Sequence, residues 1–152
     1  MRRSTALACL AAICVADYVI QRRPPRWILV GFFDHPAHVA TAMLIHPKGK
    51  AAYLAGSLLP DIDHIPVALR PVKPSLDDAR PASHCLLAVA PVAAFNRSAA
   101  AGMLAHFARD AAVGTGVPLL WPATRRSLRM PYPVYLAGCL LLARRATLTD
   151  GL

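Results

Sequence analysis

Acid is scarce in this chain, and its placement limits the folds the chain can adopt. All eight acidic residues are Asp, and two of them fall beside a histidine in Leu58-Leu59-Pro60-Asp61-Ile62-Asp63-His64-Ile65-Pro66. Pro60 cannot stand inside a helix without removing a hydrogen bond, and Pro66 pushes Ile65 away from helical angles. The stretch therefore reads as a turn joining two helices. Carboxylate oxygen and imidazole nitrogen are donors that zinc, manganese and iron accept, and Asp61, Asp63 and His64 lie close enough in the chain to close on an ion at little cost in chain entropy. The competing reading makes Asp61 the cap of the next helix and Asp63 part of its first turn.

The rest of the chain is apolar enough to meet lipid. Hydrophobic residues make up 56% and charged residues 16%, against roughly 25% charged in an ordinary soluble domain. The formal charge of +9 suits anionic headgroups or phosphate-bearing substrates. No stretch carries a basic face interleaved with aromatics, so nucleic acid is not an expected partner. Cys9, Cys14, Cys85 and Cys139 lie in apolar runs without CxxC spacing and read as small buried hydrophobes.

Met1-Arg2-Arg3 precedes an apolar run from Ser4 to Ile20, closed by Gln21-Arg22-Arg23-Pro24-Pro25-Arg26. This pattern fits a signal peptide or a signal anchor, and we read it as an uncleaved membrane anchor over 1–26, followed by a helical domain over 27–152. Arginines at both ends leave its orientation open. Beyond the aromatic patch of 27–33, Asp34 and Pro36 mark the start of a helix over about 37–45, and a second helix over about 51–59 leads into the turn. A short helix is expected to about 69, and the Pro-rich stretch 70–81 reads as a solvated loop. Ser83 caps a helix over 84–90 that Pro91 bends or ends. Ser98 opens a helix over about 99–113, stopped by Gly114-Thr115-Gly116, and a last apolar stretch covers 132–143. His46 belongs to a polar surface turn. No run alternates with period two, so the expected fold is all-α: a membrane-associated helical bundle with a metal site between helices.

Candidate ligands stand at the ends or faces of apolar helices: His35 and His38, then Asp61, Asp63 and His64, then His84, His106 and Asp110. An unpaired carboxylate in such surroundings is costly, and a cation offsets the cost. His106 and Asp110 are one helical turn apart, so both can reach one ion.

The series His38, Leu59-Pro60-Asp61-Ile62-Asp63-His64, Arg80-Pro81-Ala82-Ser83-His84 and His106-Phe107-Ala108-Arg109-Asp110, with Gly116-Val117-Pro118-Leu119-Leu120-Trp121-Pro122, resembles the membrane-bound metal-dependent hydrolases of bacteria. That family is itself distantly similar to zinc-dependent phospholipase C and P1 nuclease. The resemblance covers about 34–133. It implies an inner-membrane location and makes His38, Asp61, Asp63, His64, His84, His106 and Asp110 the metal ligands or their supports. Where the family carries His-Arg-Gly-x-Thr-His-Ser, this chain has Ala79-Arg80-Pro81-Ala82-Ser83-His84-Cys85. One ligand is therefore missing; His35 or Asp78 replaces it, or fewer ions are bound.

Two functions fit. In the first, one or two divalent ions, zinc by preference, activate water against an ester, with a phosphoester or lipid as substrate. Asp63 or Asp110 is then the general base, and Arg109, with Arg80 or Arg125, holds an anionic group. In the second, a non-catalytic polytopic membrane protein uses the same residues as a structural metal site or a proton-linked His/Asp network.

Overall fold

The computed structural model describes residues 1–23, 27–65 and 83–148, and only the backbone of Trp27 and Ile28. The expected short helix to 69 and the expected loop over 70–81, with Asp78, Ala79 and Arg80, lie outside the described residues. Those residues are helical, as expected, and two layers pack face to face.

The first layer holds α1 (Arg3–Arg22), α2 (Trp27–Ile45) and α6 (Tyr132–Leu148). Each presents a stripe of small residues at helical spacing: Ala6, Cys9, Ile13 and Ala16; Ala37, Ala40 and Leu44; Tyr135, Cys139 and Ala143. These stripes close on one another as a single core. Small side chains let helix axes approach closely, the packing habit of helices in lipid. The outward faces carry Leu7, Val15, Phe32, Leu140 and Leu141, all exposed. Among the described helices, α1 is long and apolar enough to cross a membrane.

The second layer is built on α5 (Arg97–Asp110), held between α3 (Ala51–Gly56) and α4 (Leu86–Phe95). Val89, Ala100, Met103, Phe107 and Val117 form its core. A 3-10 turn over Leu59–Asp63 follows α3. The layers meet where α2 faces α5, with Ala42, Tyr53 and Ala105 buried between them.

Two glycines set how closely α3 and α5 cross. A Cβ at Gly102 would fall 2.0 Å from the Tyr53 carbonyl oxygen, and one at Gly56 would fall 2.1 Å from that of Ala99. Only hydrogen fits there. A second link joins the layers: the Arg109 guanidinium donates to Asp17 Oδ1 through Nη2 at 2.6 Å, and Tyr132 donates to Asp17 Oδ2 at 2.8 Å. Asp17, the one acid in the apolar run of α1, is thus buried and paired across the layers.

Several local expectations are corrected. Pro36 and Pro91 lie inside α2 and α4 and do not start or end them. Each removes one backbone donor, and packing of the turns on both sides carries the helix across it. Asp34 is therefore no cap. Asn96, in place of Ser98, caps α5, accepting from the N–H groups of Ser98 and Ala99 at 3.0 and 3.1 Å. Ser83 points at the 3-10 turn instead of capping α4. The helix expected over 51–59 stops at Gly56, α5 stops at Asp110, and α6 runs on to Leu148.

Gly102→Ala is expected to abolish folding or to cost more than about 3 kcal/mol, because the clash is with backbone. Gly138→Ala on α6, where an added Cβ meets nothing within 4 Å, is expected to gain about 0.5–1 kcal/mol of helix propensity. Denaturant titration of both variants in detergent checks the pair. Asp17→Ala strands part of a buried guanidinium and is expected to cost about 3–5 kcal/mol in the same assay.

Candidate metal centre

The site is assembled where α2, the 3-10 turn, residues 83–84 and the end of α5 converge. All seven expected ligands, His38, Asp61, Asp63, His64, His84, His106 and Asp110, meet there. Asp34 and His35 join them.

The arrangement begins with the close crossing of α3 and α5. It brings the Ser57 carbonyl to His106, whose Nδ1 donates to it at 2.8 Å. A carbonyl only accepts, so Nδ1 carries a proton and Nε2 is turned inward. His84 is arranged the same way: its Nδ1 stands 2.9 Å from Ser83 Oγ, and that serine is in turn tied to Asp63 and, at 2.7 Å, to the Pro60 carbonyl. The two inward Nε2 atoms are 3.3 Å apart. Asp110 Oδ2 lies 3.0 Å from that of His106 and 3.2 Å from that of His84. Asp61 Oδ1 stands 3.5 and 3.8 Å from the same two nitrogens. Donors about 2.0–2.1 Å from one tetrahedral ion stand roughly 3.3–3.4 Å apart, so these four atoms have the spacing of one coordination sphere.

Around this quartet lie further donors. His64 Nδ1 is 3.1 Å from Asp61 Oδ1, and His35 Nε2 is 3.3 Å from Asp61 Oδ2. His38 Nε2 is 3.5 Å from both Asp110 Oδ1 and Asp34 Oδ2. Neither ring nitrogen of His38, which is fully buried, has a hydrogen-bond partner, and neither has Asp61 Oδ2. Buried polar groups are normally paired. Three trios of donors, His38 with His106 and Asp110, Asp61 with His64 and His84, and Asp34 with His38 and Asp61, each fit within 4.8 Å, the third sharing a member with each of the others. The donor set, imidazole with carboxylate, suits zinc, manganese or iron.

The cluster polarises itself. Burial works against charge on Asp61, yet the adjacent imidazoles of His35 and His64 and the fields of His106 and His38 hold its carboxyl well below the usual carboxylate range. Burial likewise opposes charge on Asp110, and the field and hydrogen bond of His106, with His84 and His38, hold it well below that range. His84 is desolvated too, but Asp110 and Asp63 outweigh this and push its imidazole up to about 9. The ionised carboxylates of Asp61 and Asp110 thus face His84, whose imidazole holds a proton that a divalent cation would displace.

Arg109 does not have the place expected for a substrate-holding group. It is fully buried, and Nη2 meets Asp17 at 2.6 Å and Asp34 Oδ1 at 3.0 Å, so its charge is spent on the protein. Arg125 is exposed, and Asp110, in contact with three imidazoles, is too engaged to move a proton freely. His46 is exposed, as expected, while Cys9, Cys85 and Cys139 are buried and Cys14 is exposed. Sequence reasoning missed Asp34, read as a cap, and Asp17. The signal for Asp34 was present: Asp34 and His38 have the same one-turn spacing as His106 and Asp110.

A family model described as YdjM inner membrane protein matches residues 36–147. No curated protein and no solved structure matches the chain. The matched span takes in most of α2, the turn, His84, α5 and α6, and so contains the central quartet. The chain belongs to the YdjM inner membrane protein family, and the inner membrane is its place.

Proposed function

We propose that this protein is a membrane-bound metal-dependent hydrolase acting on an ester, with a phosphoester as the favoured class. The observation that carries the reading is the triangle of His84 Nε2, His106 Nε2 and Asp110 Oδ2, with edges of 3.0, 3.2 and 3.3 Å. These three groups and Asp61 would hold one divalent ion, zinc by donor type. An ion in such a site lowers the pKa of bound water towards neutrality and stabilises charge on the oxygen under attack.

The chain's own residues divide the remaining tasks. Ser57 and Ser83 fix the imidazole rings. His35, Asp63 and His64 form the accessible rim, with 47%, 21% and 21% of their side chains exposed. Asp63 keeps Oδ1 without a hydrogen-bond partner, while Ser83 fixes Oδ2. It is therefore the carboxylate suited to accept a proton at the rim. The basic surface favours an anionic ester.

A second reading, a structural metal site in a non-catalytic membrane protein, draws on the way the cluster ties α2, the turn and α5 together. Purified protein in detergent separates the two. Turnover of bis(p-nitrophenyl) phosphate and p-nitrophenyl acetate, and the metal equivalent bound by the His84–His106–Asp110 triangle as counted by mass spectrometry, are expected to be lost in His106→Ala. Asp63→Asn is expected to keep its metal and lose about 10²–10⁴-fold in kcat. Turnover that survives complete chelation would sink the hydrolase reading; loss of thermal stability on chelation, with neither substrate ever turned over, supports the structural one.

Titration gives a further outcome for the metal-free protein. His84 is raised, so its contribution to stability is complete below its ordinary 6.5 and is lost as pH rises through about 9. Asp61 and Asp110 are lowered, so theirs is complete above the ordinary 3.8 and is lost as pH falls. Chelated protein should therefore be most stable between those two ordinary values, as thermal denaturation across pH will test.

A further inference from the structure

The residues outside the central quartet do not merely surround it. Asp34 Oδ2 is 3.5 Å from His38 Nε2, and His35 Nε2 is 3.3 Å from Asp61 Oδ2. Donor atoms of Asp34, His38 and Asp61 all lie within 4.8 Å of one another. We propose that Asp34, His35, His38 and Asp61 form a second transition-metal site, joined to the first by Asp61, whose Oδ1 faces His84 and His106 while Oδ2 faces His35. This deepens the hydrolase reading and rests on it only for what the second ion would serve.

Three observations carry the proposal. His38 is fully buried, and both its ring nitrogens lack hydrogen-bond partners, while its Nε2 is directed between two carboxylates. Asp61 Oδ2 is also buried without a hydrogen-bond partner and is the oxygen turned away from the first site. Asp34 is held from behind: its Oδ1 is ion-paired with Arg109 Nη2 at 3.0 Å, and Arg109 is itself fixed by Asp17 at 2.6 Å. A carboxylate with one oxygen held in an ion pair and the other aimed at an imidazole is how outer groups orient a metal ligand. Two nitrogens and two oxygens form a set that zinc, manganese and iron accept. His35 supplies a nitrogen in a chain that carries Ala79 at a usual histidine position of the family it resembles.

The test uses the full chain purified in detergent, stripped with chelator and titrated with zinc, followed by calorimetry and by metal analysis after desalting. Wild type is expected to take two equivalents. His35→Ala, in which the changed side chain is half exposed and the fold is least at risk, is expected to keep one equivalent and bind the other about 10–100-fold more weakly. Asp34→Asn is expected to do the same, with helix content checked by circular dichroism. His106→Ala should lose the other equivalent, leaving the one that His35→Ala weakens. Two equivalents at wild-type affinity in His35→Ala would overturn the proposal, as would a single equivalent in wild type that His35→Ala leaves untouched. If His106→Ala alone leaves both zinc equivalents unchanged, the hydrolase site fails while the Asp34 site stands.

Discussion

Backbone against backbone is the contact on which the site depends. Gly56 and Gly102 let α3 and α5 cross with no side chain between them, so the Ser57 carbonyl reaches His106 one turn beyond Gly102. That hydrogen bond decides which nitrogen of His106 faces inward. The same crossing places the 3-10 turn over the end of α5, and Asp61 arrives beside Asp110 with a histidine on each side. Any side chain at either glycine would part the helices and move the two carboxylates away from a common centre.

Electrostatics then explains why so little acid suffices. Every described Asp, namely Asp17, Asp34, Asp61, Asp63 and Asp110, is drawn into one connected set with Arg109 and the five histidines other than His46. None of these five is spent on solvation. Buried carboxylates between apolar helices would be prohibitive singly, and each is held by a neighbour of opposite charge or by an imidazole. Arg109 pairs with Asp17 and Asp34, which leaves Asp61, Asp63 and Asp110 to face histidines alone. The donor atoms converge on that side, where a divalent cation would take the place of imidazole protons.

The fold class and the convergence of His38, Asp61, His84, His106 and Asp110 were legible because apolar runs at helical spacing leave few positions for polar side chains. The turn, with its two prolines, was legible for the same local reason. What escaped was tertiary. Pro36 reads as a boundary because nothing local reveals that packing on α1 and α6 carries α2 through it, and once α2 was cut at that point Asp34 could only look like a cap. Arg109 reads as a free cation because its counter-ions come from α1 and α2, distant in the chain. Pairing across elements is the information that spacing along one element does not hold.

The helix that is long and apolar enough to cross a membrane is also the helix that pairs the inner charges. α1 offers Leu7 and Val15 outward, packs a stripe of small residues against α2 and α6, and brings Asp17 to Arg109. Were α1 only an anchor, an acid near its far end would be a liability, since burial among apolar groups opposes an unpaired carboxylate. Paired, it frees one oxygen of Asp34 from competition: Arg109 is held by two carboxylates and contacts Asp34 through Oδ1 alone, leaving Oδ2 directed at His38. Helix α1 and the geometry of the His/Asp cluster are thus joined through one guanidinium. The span matched to the family, beginning at residue 36, holds that guanidinium but neither of the acids that neutralise it, so the residues before it complete the pairing that orients Asp34 towards His38.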